Sequence, residues 1–197
     1  MDIAIIDYGA GNVGSVIRAL QRLGVNPLLT SDAERIAKAD KVLFPGQGEA
    51  RNAMQQLSRS GLDKVITSLR QPILGICIGQ QLMCRHSEEG DTPCLGIFDT
   101  PVLRFQPQHH QDKVPHMGWN ALTNISASPL LRGIDEGEYV FFVHSYYVPT
   151  CPWTTAQTNY ILPFSAALQR ENFHATQFHP EKSGSVGERI LRNFLDL

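Results

Sequence analysis

The stretch Gln71–Met83, QPILGICIGQQLM, is where the fold of this chain becomes legible. Pro72 opens a short apolar run, Cys77 ends it, and Ile78 begins an amphipathic segment. Gly75 and Gly79 stand two residues either side of the cysteine. That is the pattern of a nucleophile elbow, with Cys in place of Ser: a buried strand turns sharply into a helix, and small neighbours let the turn close. Such a turn lifts its side chain clear of the sheet. The helix N-terminus beneath favours a thiolate, and nearby backbone N–H groups can hold an oxyanion. Free cysteine is also among the most buried residue types. Taken alone, the stretch is equally a structural cysteine packed between glycines.

Around this elbow the first half of the chain alternates short apolar runs with amphipathic stretches. Ile3–Ile6, Lys41–Phe44 and Ile73–Ile76 read as buried strands. Val16, Ile17, Leu20 and Leu23 share one helical face. Met54 to Leu69 marks one helix, or two broken at Gly61, and Ile78–His86 the helix after the elbow. The rhythm predicts parallel βαβ units. From about residue 95 the pattern becomes strand-rich: Leu95–Phe98, Val102–Phe105, Tyr139–Val143, Ala166–Leu168 and Ala175–Phe178 lie among Pro, Gly and His, and Ser185–Leu197 returns to helical spacing. The expectation is an α/β fold: a mixed, mainly parallel sheet flanked by helices, with extra antiparallel strands in the second half. No repeat or linker divides the chain, so residues 1–197 read as a single domain.

Bulk properties narrow the functions available. A hydrophobic share of 42% and a charged share of 18% fit a globular core, and a net charge of −2 gives no footprint for nucleic acid or an anionic membrane. No apolar run approaches the roughly 20 residues that span a bilayer. Asp2 follows the first residue, with no basic region or cleavage signal, so secretion is not expected. Cys77, Cys84, Cys94 and Cys151 form no C-x-x-C pair, which suggests free thiols in the cytoplasm.

Two further stretches complement the elbow. In HATQFHPEKSG, His174–Gly184, a strand delivers His179-Pro180-Glu181 at its end. A cysteine nucleophile needs a base, and the base an orienting acceptor; His179 and Glu181 can supply both. An H-x-E pair alone is weak, but both motifs fall at strand ends of a parallel sheet, where sites in such folds form. In LFPGQGEARNAM, Leu43–Met54, a strand ends in Pro45-Gly46-Gln47-Gly48, whose glycines let backbone N–H groups turn toward a neighbouring site. By itself this is more simply a Pro-Gly turn.

Together G-I-C-I-G-Q-Q, P-G-x-G and F-H-P-E resemble the class I (triad-type) glutamine amidotransferases. The opening I-I-D-Y-G-x-G-N, PHMGWN (Pro115–Asn120) and FFVHSYY (Phe141–Tyr147) extend the resemblance across the chain, toward the glutaminase subunits of imidazole glycerol phosphate synthases of histidine biosynthesis. The resemblance implies a three-layer, flavodoxin-like fold and no cofactor. It implies that Cys77 attacks the side-chain amide of glutamine, that His179 shuttles the proton, and that Glu181 orients His179. Gly46, Gln47, Gly48 and Ile78 would line the oxyanion side. Gln81, Glu89, Ser145 and Tyr146 resemble glutamine-contacting positions. A (β/α)8-barrel cyclase would receive the ammonia through a tunnel, with Asn12, Trp119 and Lys182 on the docking face; for Trp119, core packing is an equal alternative. The departures are small. The family's elbow more usually reads G-I-C-L-G-M-Q, so Ile78 and Gln80 replace Leu and Met, and Gln47 stands where Val is usual. A stand-alone γ-glutamyl hydrolase of the same fold, or the glutaminase of another synthase, are the alternative readings.

Gly9-Ala10-Gly11-Asn12-Val13-Gly14 is a literal G-x-G-x-x-G, and Asp32 lies roughly twenty residues on, as in dinucleotide-binding folds. Asp7 and Tyr8 separate it from the strand, however, and no second mononucleotide half follows. The stretch reads instead as a tight turn on the docking face. His109, His110 and His116 lie in a polar region that reads as a solvated loop rather than a metal site.

Overall fold

The computed structural model describes residues 1–9, 13–46 and 48–197. The elements run β1 (Ile3–Ile6), α1 (Gly14–Arg22), β2 (Leu28–Thr30), α2 (Ala33–Lys38), β3 (Lys41–Gly46), α3 (Ala50–Ser60), α4 (Leu62–Ser68), β4 (Ile73–Cys77) and α5 (Ile78–Met83). There follow β5 (Cys84–Ser87), β6 (Thr92–Pro93), β7 (Phe98–Arg104), β8 (His116–Ala121), β9 (Tyr139–His144), β10 (Tyr146–Tyr147), β11 (Thr154–Tyr160), β12 (Leu162–Arg170), β13 (Phe173–Thr176) and α6 (Gly184–Leu195).

A seven-stranded sheet in the order β11-β12-β13-β4-β3-β1-β2 forms the middle layer. β13, β4, β3, β1 and β2 are mutually parallel, while β11 and β12 extend the sheet antiparallel. The parallel strands read as continuous apolar runs because helices cover both faces. Successive residues still alternate between two cores. Ala4, Ile6, Val42 and Phe44 face one core with Ile36, Leu57, Leu62, Ile66 and Leu82 of α2 to α5. Ile3, Ile5, Leu43 and Leu74 face the other, with Val16 and Leu20 of α1 and Ile190, Leu191 and Phe194 of α6.

Beside this frame lie a four-stranded sheet, β10-β7-β5-β6, and the antiparallel pair β8-β9. The mixed, mainly parallel α/β layering with added antiparallel strands is as the sequence predicts. Three readings need correction. The helix after the elbow ends at Met83 rather than His86, because Cys84 to Ser87 pairs with β7 and β6 as a strand. The run Leu95–Phe98 is a strand only at its last residue, where β7 begins. Asp32, already set aside as a nucleotide ligand, caps α2, accepting from the N–H groups of Glu34 at 2.8 Å and Arg35 at 3.2 Å. His116 opens β8 and is buried, not in a solvated loop. β2 and α2, short and half polar, have no clear periodicity to announce them. Among the described residues no helix is long and apolar enough to cross a membrane, and no cluster of His, Cys, Asp or Glu could hold a metal ion.

Candidate active site

Three parallel strands end side by side: Gly46 of β3 is level with Cys77 of β4, and Thr176 of β13 with Ile76. This shared C-terminal edge collects the chemistry. Cys77 carries a left-handed backbone, φ 55° and ψ −108°, which costs a non-glycine residue on the order of 1–3 kcal/mol. Packing around it over-determines the turn. A Cβ on Gly79 would overlap the Phe44 carbonyl oxygen, so α5 can press onto β3 only with glycine there. The bends place the Cys77 sulfur 3.8 Å from the Val143 carbonyl oxygen and 3.8 Å from the Gln177 amide nitrogen.

His179 follows β13 and opens a 3-10 turn, Pro180–Lys182. Its backbone is pinned on both sides: its N–H donates to the Phe141 carbonyl at 2.9 Å, and its carbonyl accepts from the Ser183 hydroxyl at 2.6 Å. Its Nδ1 donates to Glu181 Oε1 at 2.8 Å, and the two side chains are 3% and 4% exposed. With Nδ1 so engaged, Nε2 is the ring atom left for proton exchange, and it is buried without a hydrogen bond. Burial opposes an imidazolium here, but the sulfur of Cys77 and the carboxylate of Glu181 outweigh it and raise the His179 pKa to about 10.

A cavity of about 470 Å³ opens over this constellation, lined by Cys77, His179, Gly48, Ile78, Gln81, Glu89, Ser145, Tyr146 and Lys182 among others. It is large enough for an amino acid. Of the residues the sequence singles out, these converge there. Gln81, one helical turn beyond Cys77, donates to the Tyr146 carbonyl at 3.1 Å and to Gln177 Oε1 at 3.0 Å. Glu89 accepts from the N–H of Ala50, first residue of α3, at 2.8 Å. Burial raises its pKa, against that bond. Gly46 sits behind the cavity, its Cα against Tyr8 and Ile78 so closely that a side chain would overlap both. Trp119 is apart from the cavity and 55% exposed, edge-on to Phe141, so the core-packing alternative does not hold. Asn12 and Gln47 lie outside the described residues.

Gln80, the polar residue of the elbow helix noted as a departure from the resemblance, is fully buried; its Nε2 donates to the Ser165 carbonyl at 3.2 Å on β12, and its Oε1 has no partner. Gln177 is the site residue that sequence reasoning passes over. It stands two before His179, in the bend that follows β13, and no local pattern marks it.

The fold matches known structures at low identity. A putative GMP synthase protein from Thermoplasma acidophilum aligns with TM-score 0.75 and 21% identity, over 100% of this chain and 92% of that one. PurLQS from Thermotoga maritima aligns with TM-score 0.70 and 15% identity, over 99% and 97%. Both show the shared fold. Residues 4–197 match the glutamine amidotransferase class-I family, and the chain belongs to it. It is therefore an amidotransferase enzyme subunit. Within that family, two full-length relatives carry the same name. Imidazole glycerol phosphate synthase subunit HisH of Bacteroides thetaiotaomicron is 60% identical over 197 residues, covering 100% of both chains. The HisH subunit of Yersinia pestis is 46% identical over 198 residues, again covering 100% of both.

Proposed function

We propose that this single-domain chain, residues 1–197, is the glutamine-hydrolysing subunit of an imidazole glycerol phosphate synthase in cytoplasmic histidine biosynthesis. The observation that carries this reading is the meeting of the strained Cys77 with His179, itself held by Glu181, on one wall of an amino-acid-sized cavity. Glutamine enters with its carboxamide at Cys77. Gln81, Glu89, Ser145 and Tyr146 hold its backbone end. His179, having taken the thiol proton, pairs with the sulfur, and the thiolate attacks the amide carbon. The resulting oxyanion is held by N–H groups of the Gly46–Gly48 segment and of Ile78 at the start of α5. His179 gives its proton to the leaving nitrogen, ammonia departs, and a γ-glutamyl thioester remains. Water, deprotonated by His179, cleaves the thioester to glutamate and restores the thiol. Glu181 keeps Nδ1 protonated throughout, so Nε2 exchanges the proton.

Ammonia released to water would be lost as ammonium. The partner is a (β/α)8-barrel cyclase that receives it through an internal tunnel and forms imidazole glycerol phosphate and an aminoimidazole carboxamide ribotide. Asn12, the exposed Trp119 and Lys182 at the cavity rim form the docking face. The test is ammonia release from glutamine by the chain alone, then with the cyclase and its nucleotide ligand, with Cys77→Ala as control. Low activity alone, a large rise with the liganded partner and loss in the variant are expected. Full activity alone, unchanged by the partner, would instead indicate a free-standing hydrolase.

A further inference from the structure

Behind the cavity, a line of hydrogen bonds runs from strand β8 to the cysteine. We propose that His116 and His144 are positioning residues: through the Tyr146 carbonyl they set where Gln81 and Gln177 stand beside Cys77, and so tune the affinity for glutamine. The proposal rests on the glutaminase reading and names a part of that site.

The directions of the bonds are forced. A carbonyl only accepts, so His144 Nδ1, 2.6 Å from the Tyr146 oxygen, carries a proton. In a neutral ring His144 Nε2 then accepts, and its neighbour at 3.0 Å, His116 Nδ1, must donate. His116 Nε2 is left as an acceptor, and the Asn120 amide nitrogen meets it at 3.3 Å. The Asn120 amide is itself oriented: its Oδ1 accepts from the Ala121 N–H at 2.8 Å and its nitrogen donates to the Asn159 carbonyl at 3.1 Å. At the other end the Tyr146 oxygen accepts a second bond from Gln81, which also binds Gln177, which reaches the sulfur of Cys77. Every link has one donor and one acceptor only if both rings are neutral and both carry the proton on Nδ1.

The surroundings enforce neutrality. Burial lowers the His144 pKa to about 3, with the Tyr146 carbonyl opposing and any positive charge on the nearby His116 or His179 lowering it further. Burial likewise lowers His116 to about 4. The His116 ring is clamped between Tyr160 at 4.0 Å and Phe142 at 4.9 Å, centroid to centroid, so an aromatic replacement keeps the packing while removing the nitrogens. The line begins beside the exposed Trp119, on the strand proposed to face the partner, and ends at the nucleophile.

The test uses the whole chain with its cyclase, measuring KM and kcat for glutamine in wild type, His116→Phe, His144→Leu and His144→Asn. Losing one neutral hydrogen bond is worth about five- to tenfold. KM is expected to rise by that factor in His116→Phe and His144→Leu, with kcat changing less than about twofold. His144→Asn, whose amide nitrogen can still reach the Tyr146 carbonyl, should recover most of the loss. An unchanged KM, a loss confined to kcat, or an asparagine no better than leucine overturns the proposal. Independently of folding in any variant, nitrogen-15 spectra of wild-type histidine side chains should show both rings as Nδ1–H tautomers from pH 6 to 8. An Nε2–H tautomer in either ring overturns it too. Absence of ammonia release from wild type would sink the glutaminase reading instead, leaving the spectra to judge the relay.

Discussion

At Cys77 the backbone is held where only glycine sits comfortably, and the strain is met by packing on both sides of the turn. Beside it, His179 and Glu181 form a buried pair whose value depends on its charge state. A histidine pKa raised above its unfolded value stabilises the fold fully below about pH 6.5. That contribution fades as pH climbs through about 10. Urea denaturation should therefore show wild type exceeding Glu181→Gln by more at pH 6 than at pH 10; a pH-independent gap would contradict the assignment. The same substitution leaves the ring without its orienting acceptor. Its kcat for glutamine hydrolysis should fall on the order of 10²–10⁴-fold, with KM little changed.

At the scale of elements, glycine decides how closely α5 approaches β3. Gly79→Ala must push the helix away from the Phe44 carbonyl, and calorimetry should show a loss of about 1–3 kcal/mol. A wild-type melting temperature would mean that the elbow has room to spare. The start of α2 provides a contrast far from the chemistry. Asp32→Ala removes a cap that serves two N–H groups and should cost about 1 kcal/mol in urea unfolding, with kcat unaffected. A drop in activity would point to a role beyond capping. The helix after the elbow is shorter than its sequence suggests for a related reason. Cys84, Arg85 and His86 do not disfavour a helix locally, but the edge of β7 offers them a ladder.

Across the whole molecule, the exposed surface separates stability from assembly. Trp119 packs edge-on against Phe141 and beside Gly184, and about half of it is in solvent. Trp119→Ala should leave unfolding free energy within about 0.5 kcal/mol. Cyclase binding, followed by titration, should weaken by about tenfold or more. Equal affinity would remove Trp119 from the docking face. The G-x-G-x-x-G at the opening shows how a short motif misleads at this scale: its Asp32 counterpart is spent on a helix cap, and the sheet edge it would serve is centred on Cys77.

The sequence by itself determined the parallel α/β layering, because strands buried on both faces must be apolar throughout and their helices must be amphipathic. It also singled out Cys77, His179 and Glu181, since an elbow bounded by glycines and an H-x-E at a strand end are local patterns. Only the tertiary structure decided what those patterns meet. Gln177 reaches the Cys77 sulfur because β13 lies against β4, and His116 is buried because β8 folds over Phe142 and Tyr160. Neither contact has a local signature. These join residues 26 to 100 positions apart, and a pairing over that span is set by how the layers close, not by the residues on either side.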